Sequence, residues 1–334
     1  MFKRITALLV VGLLVIGLVT GCGNSGTEDA SGNAGESAKY PNKTIYLISH
    51  GKAGGGMDTY LRQLGKAMEE KIDVPVVIED RVGGASAVAT SHVATSAPDG
   101  YVLLGTTNTH VITPLTTKTE HSVHDLVPVC RMLVDPLILT VRADNPWNDL
   151  EDVLKAAEEN PGEISWGTAQ AGSPAYMVVH ELQQKYGVNV KSIPFEGGAQ
   201  LVTAVAGGHV DVAIAEPGEV EAQVQAGKLK IIGTFTEERL SGLPDVKTAK
   251  EQGYDIVVEK FRGIMAPKGT SPEVIDYLEG LFKDILENSE AFKDFYTGAN
   301  MEPAWLNSEE FGNYLDRVEQ ENTAYLESLG LLKK

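Results

Sequence analysis

Ser173 and His180 are a nucleophile and a base by type, but their spacing keeps them apart. Both lie in "GSPAYMVVHEL", seven residues from each other on an expected helix, which sets them about 10 Å apart along the axis. Direct proton transfer across that gap is excluded. "EHSVHD", residues 120–125, gathers His121 and His124 beside two acids. No third histidine or cysteine stands nearby, so a solvated polar loop describes it better than a metal site. His50, His92, His110 and His209 are scattered, and GxSxG, HExxH and CxxC are missing from the chain. Cys130, in the apolar run "LVPVCRMLV", reads as a small buried hydrophobe. No catalytic residue, metal or cofactor is expected, and the chain is not read as an enzyme.

Glycine carries the stronger signal. In "LISHGKAGGGMDTYLRQLGKAME" an apolar strand gives way to a helix with Met57, Tyr60, Leu61, Leu64, Ala67 and Met68 at intervals of three and four. Gly54, Gly55 and Gly56 stand at the junction. The first N–H groups of a helix have no partner within it, and its dipole adds roughly half a positive charge there. Glycines at that end clear the way for an anion on bare backbone, although tight packing alone also explains them. Met57 and Asp58 replace the Lys and Ser/Thr of a phosphate loop, so a nucleoside triphosphate is not expected. Asp58 is expected to cap or brace its own helix.

Three further loops follow strands in the same way. They are "GTTNTH" with Thr107 and Asn108, "GTAQAGSP" with Thr168, Gly172 and Ser173, and "IPFEGGAQ" with Gly197 and Gly198. Small polar loops at the carboxyl ends of strands are where α/β sheets bind ligands.

The elements that must position these loops alternate through the chain. Expected strands span 44–49, 74–79, 101–105, 137–141, 164–168, 190–194, 210–215, 229–235 and 261–266. Expected helices include 57–71, 149–159, 174–186, 198–206, 217–226 and 272–288. This alternation predicts an α/β fold with mostly parallel sheets. Ahead of it, residues 1–21 read as a lipoprotein signal peptide: a basic start, an apolar run at 5–19 and small Gly21 before Cys22. Cys22 is expected to carry the lipid, and residues 22–39 to form a tether too polar to fold. Losing Lys3 and Arg4 with the leader reduces 28 basic residues to 26 against 46 acids, a net charge of −20 that repels nucleic acid.

From Tyr40 onward the chain resembles the substrate-binding receptors of tripartite tricarboxylate transporters, the Bug family. The matching segments fall in order: "YPNKTIYLI", "KAGGGMD", "VPVVIEDR", "APDGYVLLG", "GTAQAGSPAYMVVHEL", "IPFEGGA", "AGGHVDVAI", "AGKLKIIGTF", "LPDVKTAKEQGYD" and "APKGTSPEVID". The resemblance implies the type II periplasmic-binding-protein fold, with a ligand cleft between two α/β lobes. Lobe one would be 40–139 plus 261–334, and lobe two 140–260. It places a small carboxylate against Ala53, Gly54, Gly55, Gly56, Thr107 and Asn108 of lobe one. Thr168, Gly172, Ser173, Gly197 and Gly198 would meet it from lobe two. The family departs from this chain at Ser49-His50, Glu216 and Arg262. Arg262 would bind a second carboxylate or make a surface or hinge salt bridge. Glu216 would accept from a ligand amine or hydroxyl, or cap the helix after it.

The resemblance further implies a monomeric, lipid-anchored, extracytoplasmic solute-binding receptor. It would close on a di- or tricarboxylate or related organic acid and deliver it to the large and small membrane subunits of a tripartite tricarboxylate transporter. The alternative is the same receptor presenting its ligand to a membrane signalling protein. An enzyme acting on a small carboxylate ranks below both.

Overall fold

β1 (Ile45–Ser49), β2 (Val76–Asp80) and β3 (Val102–Thr106) run parallel, separated by helices α1 (Gly56–Glu69) and α2 (Ala87–Ala94). They belong to a computed structural model that describes residues 40–169, 172–195 and 198–333. The expected signal peptide, Cys22 with its tether, and Gly197 all lie outside those residues.

After α3 (Asn108–Thr116) comes β4 (Leu126–Pro136), then β5 (Ile138–Arg142) and α4 (Leu150–Glu159). Next are β6 (Ser165–Thr168), α5 (Pro174–Tyr186), β7 (Lys191–Pro194), α6 (Gly198–Ala206), β8 (Val212–Ala215), α7 (Pro217–Gln225) and β9 (Leu229–Thr234). The chain closes with β10 (Glu259–Pro267), α8 (Pro272–Asn288), α9 (Glu290–Gly298), β11 (Glu302–Leu306) and α10 (Ser308–Ser328).

These strands form two sheets. The first runs β11-β4-β10-β3-β1-β2 and the second β7-β6-β8-β5-β9. The chain leaves the first sheet at Leu137, between β4 and β5, and returns to it with β10. Both sheets are mixed rather than mostly parallel, because β10 runs antiparallel to β3 and β4, and β5 antiparallel to β8 and β9. A strand that crosses between sheets re-enters without a helical crossover, and only antiparallel pairing tolerates that.

β4 and β11 have no counterpart among the expected strands. Pro128 and Pro303 mask them, since proline lacks the N–H a ladder needs. β11 carries Pro303 on the sheet edge, and the register of β10 shifts between Ile264 and Met265, opposite Pro128. Edges and irregularities are where proline fits.

Each sheet is apolar on both faces. Ile45, Leu47 and Leu103 pack under α1, α8 and α9, while their neighbours Ile48 and Leu104 face α2, α3 and α10. In the second sheet Leu139, Trp166 and Val212 meet α4 and α5, and Ile138 and Ala213 meet α6 and α7. Trp166 has no exposed surface. Alternate residues of a strand point to opposite faces, so the near-continuous apolar runs of the sequence follow directly.

Candidate functional site

The loop between β1 and α1 is braced by its own helix. Gly54 adopts φ +76°, which L side chains rarely accept, and its N–H donates to Asp58 Oδ2 at 2.7 Å. Asp58 also binds Arg62, 2.8 Å away. Pairing with Arg62 holds the Asp58 carboxyl below its usual range. Gly55 is the residue before the helix, and its N–H is taken by the Lys52 carbonyl at 2.9 Å. Ala53 and Gly54 are exposed, as is Gly56. The N–H groups left for an outside anion are those of Gly56, Met57 and Asp58, which open α1.

Arg262 lies against that helix end. A Cβ added to Gly56 would stand 3.2 Å from Arg262 Nη2. Arg262 is 5% exposed and is paired with Asp135, itself 2% exposed at the end of β4. Burial pulls the Asp135 carboxyl upward, but Arg262 and Lys260 outweigh it and hold the carboxyl below its ordinary range. The Arg262 Nε is buried with no partner among the described residues. Thus the salt bridge exists and the guanidinium still has a donor to give.

Gly54, Gly56, Asp135, Glu216, Glu219 and Arg262 line a cavity of about 430 Å³, together with the apolar Phe295 and Met301. A smaller cavity of about 50 Å³, lined by Thr168, Phe195 and Gly198, shares Glu216 and Glu219 with it. The two acids sit at the start of α7. Glu216 occupies the capping position in a reciprocal capping box with Glu219, and its carboxylate also pairs with Lys260. Glu219 returns the cap: its Oε2 accepts from Glu216 N–H at 3.1 Å. The Glu219 carboxylate also lies against Gly198, where a Cβ would collide with it at 1.8 Å. Glu219 is exposed as a residue, yet the enclosure of its carboxyl and then Glu216 push that carboxyl up to about 7.

The other expected site residues are placed differently. Asn108 fastens β10: its Oδ1 accepts from Phe261 N–H at 3.1 Å and its Nδ2 donates to the Glu259 carbonyl at 3.4 Å. Thr107 is buried, with its N–H on His110 Nδ1 at 3.2 Å and its hydroxyl unpartnered among the described residues. Thr168 donates its hydroxyl to the Ala169 carbonyl at 2.8 Å. Ser173 caps α5 by accepting from Tyr176 N–H at 3.1 Å. Gly172, at φ +90°, faces α10, where Leu326 stands 3.3 Å from its would-be Cβ. Neither Gly172 nor Ser173 lines the 430 Å³ cavity. The helix end that faces α1 across that cavity is the start of α7, with Glu216, Gly218 and Glu219.

His50 stacks edge-on against His110, with ring centroids 4.6 Å apart. Burial first, then Arg262 and Lys260, lower His50 to about 4. Burial and His50 hold His110 well below its ordinary value. Both rings are neutral at pH 7. A separate groove of about 480 Å³ runs past Asn108, Pro174, Lys185, Tyr314 and Arg317, and includes none of the glycines of the β1–α1 loop.

Asp135, Lys260 and Glu219 escaped the sequence reading. Lys260 and Arg262 are two apart on one strand, hence on one face, and Lys260 stands opposite Asp135 in register. Glu219 follows Glu216 by three, the spacing of a reciprocal helix cap, and "EPGE" carried that signal.

Residues 60–331 match the family described as "Tripartite tricarboxylate transporter family receptor". The chain is similar to the UPF0065 protein in the gbd 5' region of Cupriavidus necator, 29% identical over 88% of this chain and 90% of that one. Among solved structures it is similar to a TctC solute-binding protein from Polaromonas, at 29% identity and TM-score 0.77, covering 86% of this chain and 99% of that one. An R. palustris protein solved with adipate shares the fold at 22% identity and TM-score 0.74, covering 87% of this chain and 98% of the other.

Proposed function

Because this chain belongs to the tripartite tricarboxylate transporter receptor family, we propose that it is an extracytoplasmic receptor which captures a small organic acid and delivers it to the membrane subunits of such a transporter. Anchoring through a lipid on Cys22 and action as a monomer are part of this reading. The lobes are 40–139 plus 261–334 and 140–260, and the ligand sits in the 430 Å³ cavity between them.

The observation that carries the reading is the amino end of α1. Gly56 leaves three N–H groups open there, and the Arg262 guanidinium lies beside them with Nη2 nearest. Backbone N–H groups at a helix start with a guanidinium beside them suit a carboxylate. Walls from both sheets surround that point: Asp135 and Arg262 from the first, Glu216 and Glu219 from the second. A solute touching both walls stabilises the closed form by its differential affinity for that form. Ser173 and Gly172 are structural in this account. Presentation of the same ligand to a signalling partner remains the second reading, and no observation favours it.

The test is a calorimetric titration of residues 40–334 with organic acids, each with and without an amino group. At least one should bind with a Kd in the micromolar range or below, and Gly56→Asp should abolish it. Retained binding in Gly56→Asp would remove the α1 end from the site.

A further inference from the structure

The loop "EHSVHD" takes no part in the receptor site, and its two histidines have different partners. His121 Nδ1 lies 3.2 Å from Ser91 Oγ on α2. His124 meets α10 instead, with its Nε2 2.8 Å from Glu319 Oε2. Asp316 completes the group: one ligating atom from each of His124, Asp316 and Glu319 lies within 4.8 Å of the other two. Asp125 of the same loop is occupied elsewhere, since its Oδ2 accepts from Ser122 N–H at 2.9 Å.

The backbones that carry these three side chains are fixed. Asp316 and Glu319 stand three apart on α10, hence on one face. His124 is the middle residue of a one-turn helix, Val123–Asp125, just ahead of β4. Its N–H donates to Ser122 Oγ at 3.3 Å, and its carbonyl accepts from Lys268 Nζ at 3.2 Å. Val123, Leu315 and Val318, the chain neighbours of the three, are buried in one apolar cluster. Arg317 does not claim Asp316: its guanidinium lies over the Tyr314 ring, 5.3 Å from the centroid, and 3.9 Å from Glu321.

We infer that His124, Asp316 and Glu319 bind a divalent transition-metal ion of the zinc type, with water filling its remaining positions. Zinc holds nitrogen and oxygen ligands at about 2.0–2.2 Å, so two of them stand about 3 Å apart at right angles and about 4.2 Å apart when opposite. The 2.8 Å between His124 and Glu319 already has that spacing. Asp316 is exposed, and rotation of its side chain brings its carboxylate to the ion. Two carboxylates balance the charge of a divalent ion, and the imidazole favours a transition metal over calcium or magnesium. Such an ion would tie the turn ahead of β4 to the C-terminal helix. None of its three ligands lines the 430 Å³ cavity or the 480 Å³ groove, so this site is independent of the receptor reading.

The experiment titrates the full chain, untagged and stripped with a chelator, with zinc chloride and separately with calcium chloride. His124→Ala, Asp316→Asn and His121→Ala are titrated alongside. Zinc should bind with a Kd in the micromolar range, at least ten-fold tighter than calcium, and should raise Tm. Its affinity should fall ten-fold or more in His124→Ala and in Asp316→Asn, and stay within two-fold in His121→Ala. The metal-free variants should melt within a few degrees of the parent, because the replaced side chains are exposed or half-buried. Zinc affinity unchanged in either His124→Ala or Asp316→Asn overturns the inference, as does a loss in His121→Ala. Calcium binding as tight as zinc overturns the choice of metal class. Absence of saturable zinc binding overturns the site itself and leaves a surface ion pair between His124 and Glu319.

Discussion

Replacing Arg262 with methionine separates what the buried ion pair between β4 and β10 gives to stability from what holds the ligand. The substitution leaves the Asp135 carboxylate, 2% exposed, with Lys260 as its one remaining cation. Breaking a buried ion pair from one side costs about 3–5 kcal/mol. Lys260 stands opposite Asp135 in register and stays, which points to the lower end, about 3 kcal/mol. An unfolding entropy of about 2.1 cal/mol/K per residue amounts to roughly 0.6 kcal/mol/K for a unit of about 300 residues, so Tm should fall by about 5 °C. The double variant Asp135→Leu/Arg262→Met removes both charges and refills their volume, and its Tm should return to within about 2 °C of the parent. Neither variant should bind an organic acid. Scanning calorimetry at pH 7.5 reads the first quantity and titration the second. A Tm for Arg262→Met within 1 °C of the parent, or a double variant no more stable than the single one, would refute the reasoning from the buried pair.

Gly56→Asp sets a tethered carboxylate beside Arg262 and should raise Tm by roughly 1–3 °C, as an acid in the first turn also suits the helix dipole, while ligand-induced stabilisation disappears in the same melts. Ser173→Ala removes a helix cap worth about 1 kcal/mol and should lower Tm slightly, with Kd unchanged within two-fold in titration. Gly172→Ala strains a left-handed residue by about 1–2 kcal/mol and meets Leu326, so Tm falls again with Kd unaffected. With Glu219 raised to about 7, ionisation occurs as pH climbs from 6 to 8. Affinity for an organic acid should fall over that interval as a negative charge appears on the cavity wall, and Glu219→Gln should flatten the profile. His50, lowered to about 4, contributes no step in this range. The same raised carboxyl makes the unliganded protein lose stability as pH passes from about 5 to 7. There the unfolded chain has already released the proton that the folded one keeps.

Much of the architecture could be read from the residues. Met57, Tyr60, Leu61, Leu64, Ala67 and Met68 are buried on α1 as their spacing demanded, and Ser173-Pro174 and Ser271-Pro272 open α5 and α8. α3 was hidden by Pro114 inside it, and α2 by the β-branched and polar residues of "AVATSHVA". β4 and β11 were hidden by prolines that only sheet context makes acceptable. At the site, a glycine run before a helix showed where an anion could rest, because that property is local. The side-chain partners at the site were not local. Asp135 reaches Arg262 from 127 positions away, and Glu216 reaches Lys260 from 44. Helical period and loop composition carry no record of such pairings. Gly172 shows the converse: a glycine of the right loop composition that lies against Leu326 of the C-terminal helix.

Where the solute lies is the most direct measurement, and a crystal structure of the protein with the tightest acid from the titrations would supply it. The account predicts ligand density in the 430 Å³ cavity, one carboxylate within hydrogen-bonding reach of the Gly56–Asp58 N–H groups and of Arg262. Density in the groove between Asn108 and Arg317 instead, with the α1 end left to the protein's own groups, would contradict it.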